Sequence, residues 1–288
     1  LMVPEDRLSR TNGLNYLSNG AVNLIGPVVA AFLLEFWEIS QILWIDVGTF
    51  LVALIPLLIV TMPSVGKKQK SSFTKEFAEG FGFIKNRRGV LPLILLATAL
   101  NFLAMPLITL LPYYVKFDHF GDASDLALVM AFMQGGILAG GVLMSVIKGF
   151  KKKLVASMSS LYIQNIGYVL MALTPIGLFW FMGTMGLIMY LTLPIVDVSI
   201  ITILQTVIPK EMQGRVISVV MSLASAAQPL GIVLSGATAG LTGTTNLFLG
   251  CAGLGMAIST LSWLFTDIRY VEKMEASQIT NVGLTTEL

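Results

Sequence analysis

Long apolar runs separated by short polar connections set the rhythm of this chain. Mostly apolar stretches cover 11–34, 40–62, 91–113, 124–147, 154–174, 178–207, 215–239 and 245–266. Each reaches the length of about 20 residues that a helix needs to cross the hydrocarbon of a bilayer. Membrane-spanning strands would instead alternate apolar and polar residues over about 10 positions, and these runs do not. Glycine and proline recur inside them, which a bilayer tolerates because neighbouring helices satisfy the freed backbone groups. The pattern predicts an all-α polytopic membrane protein with eight transmembrane helices.

The connections between runs divide sharply by charge. Alternating sides, one face receives Arg7 and Arg10, then Lys67, Lys68, Lys70, Lys75, Lys85, Arg87 and Arg88. The same face receives the "KGFKKK" turn, Lys210 with Arg215, and Arg269 with Lys273. That is seventeen of the 18 Lys and Arg residues, and Lys116 alone falls on the other face. The positive-inside rule makes the crowded face cytoplasmic, and with it both ends of the chain.

The longest of these connections, 63–90, divides the chain. Its "SVGKKQKSS" reads as a flexible polar link. The following "FTKEFAEGFGFIKNRR" places Phe73, Phe77, Phe81 and Ile84 on one helical face, with Lys75, Glu76 and Glu79 away from it. Such a helix lies at the membrane surface, either packed against the spans or sensing lipid. Residues 269–288 read as a polar, fraying tail.

Composition agrees with a membrane protein. Hydrophobic residues make up 55% and charged residues 12%, where soluble domains carry about 25% charged residues. The mean hydropathy is +0.82. One cysteine, Cys251, permits no intrachain disulfide, and one histidine, His119, permits no His-rich metal constellation. No cofactor, metal or nucleic acid is expected. The opening "LMVPEDRLSR" contains no signal-peptide core. No GxxxxGK[ST] loop is present for an ATP-driven pump. A lipid enzyme would need His, Asp, Glu or Ser clustered at one interface, which the short loops lack.

A weak internal repeat runs through the chain at an offset of 205. Pro4 falls on Pro209, Arg10 on Arg215, Ala21 on Ala226, Gly26 on Gly231 and Val28 on Val233. Both copies enter an outward-going span from the basic face, and each is followed by one further span. Parallel halves of this kind are a transporter architecture. The expectation is therefore a carboxy-terminal fragment, with four N-terminal helices missing from a six-plus-six, twelve-helix protein. Residues 1–62 would hold the last two spans of the first half. Residues 63–90 would be the cytoplasmic linker, 91–268 the six-helix second half and 269–288 the cytoplasmic tail.

The stretches "VPEDRLSRTNGL", "IGPVVAA", "WIDVGTFL", "EFAEGFGFIKNRRGVLPLI" and "TILQTVIPKEMQGRVIS" occur in an order that resembles the major facilitator superfamily. The likeness is to its bacterial branch of macrolide-efflux and enterobactin-exporter-like proteins. What the resemblance implies is a monomeric secondary active exporter in the bacterial plasma membrane, coupled to protons and alternating between inward- and outward-open states. The implied cargo is an amphipathic small molecule such as a macrolide or another antibiotic, with a siderophore or metabolite as the alternative. An inactive fragment is a further reading.

Several polar residues inside the runs are candidates for that work. At about 100° per residue, Asn12, Asn15, Asn19 and Asn23 share an arc of about 80°. Such a stripe serves either as interhelical glue or as a cavity wall that hydrogen-bonds substrate. Asp197 lies twelve residues before Pro209, about 18 Å along a helix and so near mid-membrane, with Pro194 able to kink the helix beside it. Buried and unpaired, its carboxyl could bind and release protons; the alternative is a structural pairing. Gln134, beside "GGILAGG", is a third cavity candidate, and Gln164, Asn165 and Gln205 are further polar points. Asp46 reads as a loop anchor close to the end of its span.

Gly26 and Pro27 resemble the antiporter motif of drug exporters, with Ala30 and Ala31 where glycines are usual. Together with Pro229 and Gly231 they are candidates for gating or packing. Arg10 and Arg215 occupy equivalent sites in the repeat, either as ion-pair holders of an inner gate or as topological signals. The Met- and aromatic-rich segment from Trp180 to Tyr190 is either an adaptable substrate surface or lipid-facing packing.

Overall fold

The computed structural model describes residues 8–59, 73–147, 150, 152–210 and 212–271. Expectations for 63–72 and for the tail beyond 271 lie outside the described residues. Among the described residues the secondary structure is helical throughout. The helices are α1 (Leu8–Phe36), α2 (Ile39–Ile59), α3 (Phe73–Asn86) and α4 (Val90–Tyr113), which runs on into a π-helical turn, Tyr114–Asp118. There follow α5 (Ala123–Val146), α6 (Lys153–Ala172), α7 (Phe179–Leu191), α8 (Leu193–Val207), α9 (Gln213–Ala226), α10 (Gln228–Thr242) and α11 (Thr244–Phe265).

Among the described residues, six segments are long and apolar enough to cross a membrane: Val90–Asp118, Ala123–Val146, Lys153–Ala172, Phe179–Val207, Gln213–Thr242 and Thr244–Phe265. They fall on the last six of the eight expected runs, while α1 and α2 fall on the first two. The outer surface of the bundle is apolar. Leu241, Phe265, Val146 and Trp44 are all more than 70% exposed, a surface suited to lipid and unsuited to water. Hydroxyl and amide side chains within the helices turn inward on the backbone. Thr98, Asn101, Ser157 and Thr206 each donate to the carbonyl one turn back, at 2.9–3.0 Å, which satisfies those groups without water.

Two of the spans are broken near their middle. Thr192 separates α7 from α8, and Ala227 separates α9 from α10, each with φ −82 and ψ −14. Pro194 and Pro229 sit in the first turn of the helix after each break. A proline there lacks the N–H that would continue the ladder from the preceding turn. The break at Pro194 agrees with the kink expected from the sequence; the expected single run 215–239 is in fact two helices.

Glycines set the spacing of the bundle. A Cβ on Gly136 would strike the backbone of Leu187, and one on Gly140 the backbone of Leu191 together with Pro194. These two contacts advance in the same sense, so α5 runs parallel to α7–α8. On the other face of α5, a Cβ on Gly13 would lie 2.7 Å from the Met144 carbonyl carbon, and one on Gly20 3.0 Å from the Leu138 side chain. Here the numbering runs in opposite senses, so α1 is antiparallel to α5.

The end of the bundle where α3 lies also gathers Lys85, Arg87, Arg88, Lys152, Lys153, Lys210, Arg215 and Arg269, and is called here the basic end. Its core joins Ile84 of α3 to Val90, Val216, Val219, Ile268 and Val271. Gly89, at φ +83, lets the chain turn from α3 into α4 where a Cβ would meet the Asp267 carbonyl oxygen at 2.5 Å. The helix α3 is therefore packed against the spans, the first of its two expected placements, although Phe77 and Phe81 remain 39% exposed. At the far end, Tyr114, Phe179, Phe248 and Tyr168 form an aromatic core, and the Tyr114 hydroxyl donates to the Ala172 carbonyl at 2.8 Å. Asp122 and Asp125 close a reciprocal capping box at the start of α5.

His119 lies in the far-end loop, 4% exposed, with its ring edge-on to Tyr114 at 4.5 Å. Burial pushes its pKa down, while the Asp118 charge and the Pro175 backbone pull it back upward. The unfolded chain therefore binds this proton more readily than the folded one. The stabilisation is complete above the ordinary value of about 6.5 and declines as the pH falls from there toward the folded value. Melting of the detergent-solubilised protein between pH 7.5 and 5 should show that decline, and His119→Gln should flatten it. Gly140→Val should cost about 1–3 kcal/mol through overpacking or prevent assembly. Gly135→Val, where no atom lies within 4 Å of the added Cβ, should leave the melting temperature within a degree or two of wild type.

Candidate functional site

A polar seam forms where α1 crosses α5 and α8. The Asn12 side-chain amide donates to Gln205 Oε1 at 2.9 Å and approaches Thr202 Oγ1 at 3.5 Å. Gln205 is held in turn from its backbone side, because Gln213 Nε2 donates to its carbonyl at 2.6 Å and to that of Ile208 at 3.2 Å. Gln213 thus stitches the end of α8 to the first turn of α9. The seam is possible because Gly13, next to Asn12, brings α1 onto α5 without a side chain between them.

On the described side chains, the contact of α1 with α5 and α8 runs through Asn12, Gly13 and Gly20. On the face turned away from α5, Gly26 has nothing within 4 Å of an added Cβ, and Val22, Ile25 and Val29 are 47–68% exposed; the side chains of Leu24 and Val28, which continue the face of Gly20, lie outside the described residues. Asn15 and Asn19 are exposed as well. Of the amide stripe, then, Asn12 is glue, whereas Asn15 and Asn19 face open space beside the seam. The side chains of Arg10, Asn23, Pro27 and Asp46 lie outside the described residues; their backbones are placed in α1 and α2.

On the facing helices, Gln134 of α5 is half-buried, and its Oε1 has no hydrogen-bond partner. Ser199 of α8 is 2% exposed, with an equally unpartnered Oγ. Asp197 lies two residues away, half-buried. It is not without a partner, which overturns the expectation of an unpaired carboxyl. Continuing the antiparallel register set by Asn12 brings it level with residues 17–20 of α1. The physical reason is general: an ionised carboxylate in a bundle interior is too costly to leave alone.

The second copy of the repeat sits elsewhere. Gly231 of α10 presses on α4, where a Cβ would lie 2.8 Å from that of Met105 and 2.9 Å from the Phe102 carbonyl oxygen. Pro229 is exposed at the break. Arg215 Nη1 pairs with Glu79 Oε2 at 2.8 Å, so α9 is tied to the linker helix α3, and Gly80 lets the two approach at Val219. The sequence reading did not include Glu79 in a site, since its place away from the apolar face of α3 marks only solvent. It also passed over Asn101 and Gln228, whose side chains meet at 3.4 Å between α4 and α10; an amide in the middle of "LATALNFL" was the available signal. Arg88 adds a second basic-end tie, at 3.1 Å to Asp267, with its guanidinium over the Tyr270 ring.

The seam lies beside the exposed amides Asn15 and Asn19 and on the span broken at Thr192, while the break at Ala227 lies apart, on the span that packs against α4. Broken helices are how transporter folds place backbone and side-chain polar groups at mid-membrane.

Comparison with known proteins agrees on one family. The family model described as Major Facilitator Superfamily matches residues 1–225. Macrolide efflux protein A of Streptococcus pyogenes is 28% identical over 276 residues, covering 94% of this chain and 68% of that protein. A protein of the same name from Enterococcus faecalis is 29% identical over 236 residues, covering 81% and 73%. Multidrug efflux pump Tap of Mycolicibacterium fortuitum is 23% identical over 233 residues, covering 78% and 56%.

A double-mutant cycle of Arg215→Gln and Glu79→Gln should return a coupling of about 0.5–1 kcal/mol, the size of a partly exposed pair. Proteolysis within 63–90 should speed up by the same amount in either single variant and in the double. Additive effects would show that the pair does not hold α3.

Proposed function

The chain belongs to the Major Facilitator Superfamily, and we propose that it serves as the translocating part of a drug-efflux transporter. On this reading it exports amphipathic small molecules of the macrolide type by alternating access, with protons moving the other way. The names of its relatives, two macrolide efflux proteins and a multidrug efflux pump, support the cargo class. A siderophore or another metabolite is the second cargo to test.

The observation that supports the mechanism is the polar seam of α1. It closes on α5 and α8 through Asn12, Gly13 and Gly20. With the basic end in the cytoplasm, as the distribution of Lys and Arg favours, this seam closes the inward side. Opening inward would have to separate Asn12 from Gln205 and Gly13 from Met144. These are one neutral hydrogen bond and a dispersion contact, weak enough to remake in each cycle.

We read α1 and α2 as two further spans, which makes eight with the six established by length and composition. In a six-plus-six protein they close one half, and α4 to α11 form the other. The repeat at offset 205 supports this division, and on this reading the counterparts of the spans from α4 to α8 lie outside this sequence. Asp197 is the proposed proton-coupling group, with Gln134, Asn15, Asn19 and Asn23 on the substrate wall. Gly26, Pro27, Pro229 and Gly231 govern packing at the moving seams, and Arg10 and Arg215 hold the cytoplasmic side.

The test is efflux from energised cells expressing the full-length protein, with a macrolide and an unrelated cationic dye as probes. Efflux should stop with a protonophore and fall at least tenfold in Asp197→Asn. Joining Asn12→Cys to Gln205→Cys in a Cys251→Ser background should arrest efflux on oxidation and restore it on reduction. Continued efflux through the cross-linked protein would rule out alternating access at this seam. Failure of both probes with a well-expressed protein would move the cargo to a siderophore or metabolite.

A further inference from the structure

Away from the seam, α4, α6, α7 and α11 line a half-open cavity of about 50 Å³. Most of its wall is apolar, from Leu100, Leu103 and Ala104 of α4 and Met189 of α7. One side is not: Gln164, Asn165 and Tyr168 of α6 all line it, and Cys251 of α11 faces them. Tyr168 is 4% exposed, yet its hydroxyl has no hydrogen-bond partner in the protein, and neither does Gln164 Nε2. Asn165 keeps its nitrogen on the Leu161 carbonyl at 2.8 Å.

These orphans contrast with the rest of the molecule. Tyr114, equally buried, places its hydroxyl on the Ala172 carbonyl, and Thr98, Ser157 and Ser259 satisfy themselves one turn back on their own helices. A tyrosine hydroxyl cannot reach its own helix in that way. The walls of the cavity also cannot collapse onto it. Gly255 already brings α11 against Asn165 so closely that a Cβ would strike its oxygen, and a Cβ on Gly167 would lie 3.2 Å from that of Met189 on α7. Two unpaired donors on a roomy polar wall are the conditions under which buried water is held.

We propose that this cavity is a structural water site, occupied by about three molecules at the volume each requires. The waters join Gln164, Tyr168 and Asn165 to the facing helices. The site carries no ionised side chain and too few oxygens for a metal cation, so the ligand is neutral. Its place also matters mechanically. Met189 lies three residues before the break at Thr192, so α6 and α7 can slide there over water instead of over an interlocked apolar surface. This inference does not depend on which cargo the protein exports.

Hydroxyl-radical footprinting of the full-length protein in lipid nanodiscs tests the proposal, because the radicals arise from water at the site itself. Tyr168 should be modified several-fold faster than Tyr114, which is buried to the same degree in a dry cluster. Gln164→Leu, and separately Ala104→Leu, which fills the space and leaves every polar group in place, should bring Tyr168 down to the rate of Tyr114. Equal rates for the two tyrosines in wild type would overturn the proposal and leave the cavity dry or filled by an apolar occupant. A rate at Tyr168 unchanged by either folded variant would overturn it as well.

Discussion

Everything in this bundle depends on how closely α5 can approach its neighbours. Lipid tails are as apolar as leucine, so helices in a bilayer gain nothing by hiding apolar surface from their surroundings. They associate through dispersion and hydrogen bonds, both of which fall off steeply with distance. Gly136 and Gly140 supply that closeness toward α7–α8, and Gly13 and Gly20 of α1 supply it on the other face of α5. With that spacing fixed, the short side chains along the seam meet directly: Asn12 reaches Gln205 only because no Cβ holds α1 away at the next residue.

The two ends of the bundle are held by different physics. At the far end, Tyr114, Phe179, Phe248 and Tyr168 lock the loops with aromatic contacts and a buried hydroxyl bond. At the basic end the ties are polar and partly exposed: Arg215 with Glu79, Arg88 with Asp267, and Gln213 on the Gln205 carbonyl. Exposed ion pairs contribute little and trade readily for water. An end built this way can rearrange without passing through a desolvated intermediate, which the proposed inward opening requires. The linker helix α3 takes part in this, as its Glu79, Gly80 and Ile84 all meet α9 or the core beneath it.

Polar groups inside the helices divide along similar lines. Many hydroxyls and amides close on their own backbone, and a few of these, such as Asn101 with Gln228, also reach a neighbouring helix. Others do not close on their own helix: Asn12 bonds Gln205 across the seam, and Gln134 and Ser199 beside it, with Gln164 and Tyr168 at the inner cavity, keep an unpartnered atom. A bilayer makes the distinction sharp, because it offers no water to a polar atom left over.

Much of this was present in the order of the residues. Apolar run length fixed the last six spans, because hydrocarbon thickness sets a minimum that no tertiary contact alters. Pro194 fixed the break at Thr192 through its missing N–H, and the period of Phe77, Phe81 and Ile84 fixed the helix in the linker. Periodicity also placed Asn12, Asn15 and Asn19 on one face, but it could not say that α8 meets only the first of them. That depends on how α1 is set across α5 and α8, which is a property of the helices together. The pairing of Asp197, the tie between Glu79 and Arg215 and the unpartnered hydroxyl of Tyr168 were likewise decided only in three dimensions. A residue's type determines what it must satisfy, and the fold alone determines what stands within hydrogen-bond reach.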